Sequence, residues 1–203
     1  MVRKYEQRLR AEAAQETRRR ILDAVYARLR EAPSEPVSID RIARLARVAR
    51  PTVYQVFGSR AGLFEEVGAD LLDRGGFQDM LRASAHPDAR EALRGGIRGV
   101  VAMYATHRDV LRALHSMAML DAAAVGGAVQ RLEARRARGM AQTAERLSAA
   151  NALRPDVTPA EATDVLCLLT SFDGFDHLHT ARSRPPEDVA RLLIETAERT
   201  LLS

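Results

Sequence analysis

The sequence predicts an all-α fold in two parts, a small N-terminal domain of short helices followed by a larger domain of longer ones. Three observations carry that prediction. Ala, Leu, Arg and Glu dominate the 203 residues, and valine and isoleucine recur at helical spacing rather than in alternating runs. Breaks between periodic stretches crowd into the first sixty residues and then spread out, to Gly75-Gly76, His86-Pro87, Gly126-Gly127, Arg154-Pro155 and Pro185-Pro186. The basic charge also sits at one end: residues 1–60 hold 14 Arg or Lys against 7 Asp or Glu, while residues 61–203 hold 17 against 20. All but one of the 31 basic residues are arginine, a bias that explains Arg over Lys but not this split. A basic small domain on a mildly acidic larger one points to a polyanion as the partner of the first.

The elements follow in order. In residues 15–31, Ile21, Leu22, Val25, Tyr26 and Leu29 form one apolar stripe, and the loop APSEPVS with its two prolines ends that helix. Ser38 is placed to cap a second helix in which Ile39, Ile42, Ala43 and Ala46 share a buried face and Arg41 and Arg44 stay outside. A turn near Arg47 and Val48 leads to a third helix over about 50–57, Gly58 stops it, and Ser59 caps a fourth. Beyond lie helical stretches at 60–74, 88–106, 108–120, 127–150, 159–181 and 186–202. The domains are set at 1–60 and 61–203, with the fourth helix as a shared strut between them. Residues 1–14, with Arg3, Lys4, Arg8 and Arg10, form either a basic arm that reaches a neighbouring groove or an extension of the first helix.

The stretch ARVARPTVYQVFGSR, residues 46–60, carries the chemistry. Proline is tolerated in the first turn of a helix, where its missing amide hydrogen would have had no partner, so Pro51 marks a beginning rather than a break. With Ala49 or Arg50 at the cap, Val53, Val56 and Phe57 point inward and Arg50, Thr52, Tyr54 and Gln55 outward. Two short helices joined by a tight turn, the second presenting polar side chains at its N-terminal end, form the helix-turn-helix that fits a DNA major groove. Arg50 can fork onto guanine or a phosphate, Gln55 can read an adenine edge, and Thr52 can touch a thymine methyl. Tyr54 and Ser38 offer hydroxyls to phosphates, while Arg47 in the turn and Arg60 at the head of the fourth helix offer charge.

Residues 16–64 resemble the DNA-binding domain of the tetracycline-repressor (TetR) family of bacterial transcription regulators, through TRRRILDAVYARL, VSIDRIARLARVARPTVYQVF and GSRAGLF in that order. Four positions depart from the family pattern. Arg47 stands where glycine is usual, Ala49 where a capping serine is common, and Gly62 where a first-turn acid is common; Arg60 replaces the usual lysine. The resemblance implies a homodimer that binds a pseudo-palindromic operator in double-stranded DNA and is released by a small-molecule effector of unknown identity.

It also implies that residues 61–203 form a ligand-binding and dimerisation domain whose last two helices pair with those of a second subunit. Leu168, Phe175 and Leu178, with Val189, Leu192, Leu193 and Thr196, are the residues expected at that interface. The expected pocket lies in VAMYATHRDVLRALHSMAML and the stretch 159–181: Met103, Tyr104, His107, Leu111, His115 and Met119, with Phe172 and Asp176. In DGFDHLH, Asp173 and His177 lie four apart on one helix face, but two ligands do not make a metal site, and neither metal nor cofactor is expected. Cys167, in VLCLL, reads as a buried small hydrophobe with no disulfide partner. No nucleophile-base pair or glycine-rich phosphate loop supports an enzyme. A helix-turn-helix factor without an inducer, or an activator, is the alternative. With no bilayer-length apolar run and a charged first thirty residues, a cytoplasmic protein that does not contact membranes is expected.

Overall fold

The computed structural model describes residues 2–33, 35, 37–74 and 76–203, with side chains from Gln7 onward. Ser34, Pro36, Gly75 and the side chains of Arg3 and Lys4, all named in the sequence reading, lie outside the described residues. Apart from one isolated bridge between Leu153 and Leu202, the described regular structure is helical. In chain order the helices are α1 (Val2–Glu31), α2 (Ile39–Leu45), α3 (Arg50–Phe57), α4 (Arg60–Arg74) and α5 (Phe77–Ser84), then α6 (Ala89–Leu120), α7 (Gly127–Ala149), α8 (Pro159–Leu169), α9 (Phe172–Asp176) and α10 (Pro186–Leu201). Two π-helical turns, Ala122–Gly126 and His177–Ala181, precede α7 and follow α9. The chain forms two compact units, residues 1–70 with 109–130, and residues 71–108 with 131–203, so that α4, α6 and α7 each contribute to both.

In the first unit, Ile21, Val25 and Leu29 of α1, Ile42 of α2, Val53 and Phe57 of α3 and Leu63, Phe64 and Val67 of α4 are all buried. The helical spacing read from the sequence is the cause, and each fully buried side chain of this size stabilises the fold by about 1.5–3 kcal/mol. α1 begins well before its apolar stripe. Residues 2–14 continue this helix rather than forming a separate arm, and Gln7–Glu16 are exposed on every side. Arg28 is buried near the C-terminal end of α1, where it donates to the carbonyl of Ala32 (3.2 Å) and to the carboxylate of Glu35.

The second unit holds a helix that the sequence reading missed. α5 has only eight residues between a glycine pair and His86-Pro87, too short to be stable alone. Its place comes from α6, where a Cβ at Gly95 would stand 2.9 Å from the Cβ of Ala83, and one at Gly99 3.0 Å from the Cα of Met80. Glycines four apart on α6 thus admit the α5 backbone at a distance no other residue allows. Arg146 of α7 closes the C-terminal end of α5 by donating to the carbonyls of Ser84 and His86, and the Arg135 guanidinium lies 4.2 Å from the centre of the Phe77 ring.

The break read at residue 107 is present as a kink: between the stretches read as 88–106 and 108–120, His107 leaves the helical conformation (φ −113°, ψ 16°) within α6. A later boundary differs from the sequence reading. The stretch 159–181 is not one helix: α8 ends at Leu169, and Ser171 starts α9 by accepting the amide of Gly174 (3.2 Å). Thr170 turns the chain there with its buried hydroxyl donated to the carbonyl of Leu166 (2.7 Å), an alternative to continuing the helix. Cys167 is half-buried rather than buried.

Candidate nucleic-acid interface

Helices α2 and α3 pack together, joined by residues 46–49. The turn closes α2 with two backbone bonds, Val48 N–H to the carbonyl of Ala43 (2.9 Å) and Arg47 N–H to that of Arg44 (3.1 Å). This paired closure requires a left-handed residue at its centre, and Arg47 supplies it at φ 54°. An L-residue there costs roughly 1–2 kcal/mol that glycine would not. The exposed Arg47 side chain leaves the turn beside α3.

α3 begins with Ala49 at the cap (φ −74°, ψ 147°) and Pro51 in its first turn; no side-chain bond caps it. Val53 and Phe57 are buried, Val56 half-buried, and Arg50, Pro51, Tyr54 and Gln55 exposed, with Thr52 half-buried. The sequence reading of the two faces holds for Arg50, Tyr54 and Gln55 outward and Val53 and Phe57 inward, while Thr52, read as outward, and Val56, read as inward, share the boundary between them. Arg50 lies 3.4 Å from the Asp40 carboxylate of α2 and over the Tyr54 ring at 5.9 Å from its centre. The Tyr54 hydroxyl and then Asp40 strengthen the proton affinity of this guanidinium, which stays charged and is held in one sector of the exposed face. Ser38 occupies the cap position of α2 and is exposed, but its hydroxyl makes no capping bond, contrary to the role read for it.

The α3–α4 junction is tight. Gly58 (φ 73°) donates its amide to the carbonyl of Tyr54 (2.7 Å), and Ser59 Oγ accepts the amide of Gly62 (2.9 Å), capping α4 as expected. A Cβ on Gly62 would collide with the carbonyl of Phe57, which explains why no first-turn acid stands there. Arg60, read as a phosphate ligand, is half-buried and engaged inside the unit. It donates to Asp121 and to the carbonyl of Val37 (3.3 Å), with its guanidinium 5.4 Å from the centre of the Phe64 ring. Arg18 of α1 similarly pairs with Glu66 and stacks on Phe57 at 5.1 Å.

This geometry, two short helices at a left-handed turn with a charged face at the head of the second, is matched by known proteins. Residues 21–67 match the N-terminal domain of bacterial regulatory proteins of the tetR family. Residues 21–67 form a TetR-family N-terminal domain. Native NalD, the secondary repressor of the MexAB-OprM multidrug efflux pump in Pseudomonas aeruginosa, is 25% identical, with 94% of this chain and 98% of that one covered at a TM-score of 0.70. A TetR-like transcriptional regulator from Rhodococcus sp. RHA1 (22% identity, 90% and 94% covered, TM-score 0.65) and a Saccharomonospora viridis protein solved with choline (19%, 93% and 99%, 0.68) share the fold. None of the curated proteins compared matches the chain. The structural likeness to NalD extends over both units, whereas the TetR-family match itself ends at residue 67.

The residues expected to line a ligand pocket fall into two groups. Met103, Tyr104, His107, Phe172 and Asp176 belong to the second unit, and Leu111, His115 and Met119 to the first. In the second unit, Tyr104 donates its hydroxyl to the carbonyl of Thr170 (3.1 Å), and its ring meets Phe172 edge-on (5.4 Å) and Phe175 at a tilt (5.6 Å). Burial pushes the Tyr104 phenol well above its ordinary range, so it stays a neutral donor. Asp176 is paired with Arg108 at 2.8 Å and accepts the Thr180 hydroxyl at 2.7 Å. In the first unit Leu111 is buried and His115 bonds the carbonyl of Leu111 (2.8 Å), but Met119 is 87% exposed and so lines no enclosed space.

The residues expected at a subunit interface also divide. Phe175, Val189 and Leu193 are buried within the protomer, because the periodicity that marks an apolar face does not tell which chain covers it. Leu178, Leu192 and Thr196 are half-buried, and Leu168 on α8 is 74% exposed. Among the described residues no group of three His, Cys, Asp or Glu is placed to hold a metal ion, and no helix is long and apolar enough to cross a membrane.

Proposed function

We propose that this chain is a sequence-specific, homodimeric repressor that a small molecule releases from its operator. The observation that carries the reading is the exposed head of α3, where Arg50, Pro51, Tyr54 and Gln55 stand clear of a buried Val53–Phe57 face. Arg50 and Gln55 are the base-reading side chains, with Thr52 at a thymine methyl; Arg47, Tyr54, Ser38 and Arg60 hold phosphates. Two copies place their α3 helices in successive major grooves about 34–36 Å apart. The dimer reading rests on the family likeness, and Leu168 of α8, 74% exposed, is the expected interface residue that the protomer leaves uncovered.

Repression is supported by the likeness to NalD, whose described role is that of a repressor. Release requires the effector to bind the DNA-incompetent state more tightly, and by reciprocity operator DNA then weakens effector binding by the same factor. Tyr104, His107, Phe172 and Asp176 are the side chains proposed to meet the effector in the second unit. Band shifts on DNA flanking the protein's own gene test the reading: a discrete complex that resists competitor DNA is expected, and Arg50→Ala should lose about 1–3 kcal/mol of discrimination at one base position. Equal binding to every sequence would refute it.

A further inference from the structure

One guanidinium in the first unit does more than its position at the head of α4 requires. Arg60 reaches back to the Val37 carbonyl just before α2 and across to Asp121, at the end of α6. Asp121 has two tasks: one carboxylate oxygen accepts the amide of Ala124 (3.2 Å) and so starts the Ala122–Gly126 π-turn, and the other takes Arg60. Both side chains are about one-third exposed, 31% for Arg60 and 38% for Asp121, so the pair can open without unfolding its surroundings. Arg60 is also the cation beside the tight α3–α4 junction, where Ser59 and the first amides of α4 follow α3 directly.

We propose that Asp121 is an internal competitor for the operator phosphate. Its carboxylate occupies the guanidinium that DNA needs, and operator binding proceeds by exchanging one anion for the other on Arg60. This rests on the DNA-binding reading above and adds a residue, distant in sequence from the helix-turn-helix, that sets operator affinity. The exchange is an ion-for-ion replacement at a partly exposed site, where a carboxylate in place costs the phosphate its Coulombic gain and removal of the carboxylate returns it. The π-turn that Asp121 caps links α6 to α7, so any movement of the end of α6 carries the competitor with it.

Asp121→Asn tests the proposal, because the amide keeps an oxygen for Ala124 while losing the charge; Asp121→Ser keeps a capping oxygen by other means and serves if the first variant is unstable. The measurement is operator affinity against salt concentration for the wild type, Asp121→Asn, Arg60→Ala and the double variant. Expected is roughly tenfold tighter operator binding for Asp121→Asn, and no gain when Arg60 is already alanine, which itself flattens the salt slope by about 0.9 for the phosphate lost. A gain that persists in the Arg60→Ala background would reduce Asp121 to a general negative charge near DNA and overturn the competition. Unchanged or weaker binding by Asp121→Asn would also overturn it, leaving the pair a structural brace. Failure of the wild type to bind any DNA sequence-specifically would instead sink the functional reading itself.

Discussion

Single residues carry the departures of residues 21–67 from the TetR-family pattern. Arg47 closes α2 in a left-handed conformation that costs an L-residue free energy, and it holds an exposed cation beside the recognition helix. The two consequences have opposite signs, so one substitution separates them. Arg47→Gly is expected to stabilise the fold by roughly 1 kcal/mol, read as a rise in Tm of about 2–4 °C, through relief of backbone strain. The same change is expected to weaken operator binding and flatten its salt dependence by about 0.9 for each phosphate that position 47 no longer neutralises. A variant that is more stable and binds equally well would show that Arg47 is only a tolerated turn residue. The turn position was legible because glycine is the usual residue there, and so was the outward face of α3, because Pro51 and the spacing of Val53 and Phe57 fix it. Arg60's partner was not legible, since nothing local to Asp121 announces an ion pair with a residue 61 positions away.

At the scale of elements, the sequence reading succeeds where an element's own residues decide its limits. α3 and α4 have the boundaries read for them, because Pro51, Gly58 and Ser59 act locally. It fails where tertiary packing decides. α5 exists because Gly95 and Gly99 let it approach α6, and the only sequence trace of that is a pair of glycines four apart inside a helical pattern. The break at Thr170-Ser171 is likewise written in two hydroxyls that bond to backbone, a signal hidden in an otherwise helical run. Gly99→Ala should cost about 1–3 kcal/mol by forcing Met80 aside. Gly139→Ala in α7, where an added Cβ meets nothing within 4 Å, should stabilise by about 0.5–1 kcal/mol, and chemical denaturation of both variants checks the contrast. Similar effects of the two changes would remove the argument that these glycines position α5.

For the whole molecule, the charge split fits the proposed division of labour, a basic N-terminal part for DNA and a mildly acidic remainder for assembly and response. The proposed pocket and interface were the least legible parts. Their residues share one apolar periodicity, which does not distinguish Phe175, buried within the protomer, from Leu168, left in water. That difference makes Leu168 the residue to test for assembly. Leu168→Glu should convert a dimer to a monomer in sedimentation velocity while leaving the helical circular dichroism unchanged, and an unaltered dimer would move the interface away from this face of α8.

The central claim is that α3 of each protomer reads a base sequence in paired major grooves. Hydroxyl-radical footprinting on DNA flanking the gene, at physiological salt, addresses it most directly. The account predicts two protected segments of related, inverted sequence with centres about one helical turn, 10–10.5 base pairs, apart, both lost in Arg50→Ala. Uniform protection that follows salt alone and is indifferent to sequence and to Arg50 would contradict it.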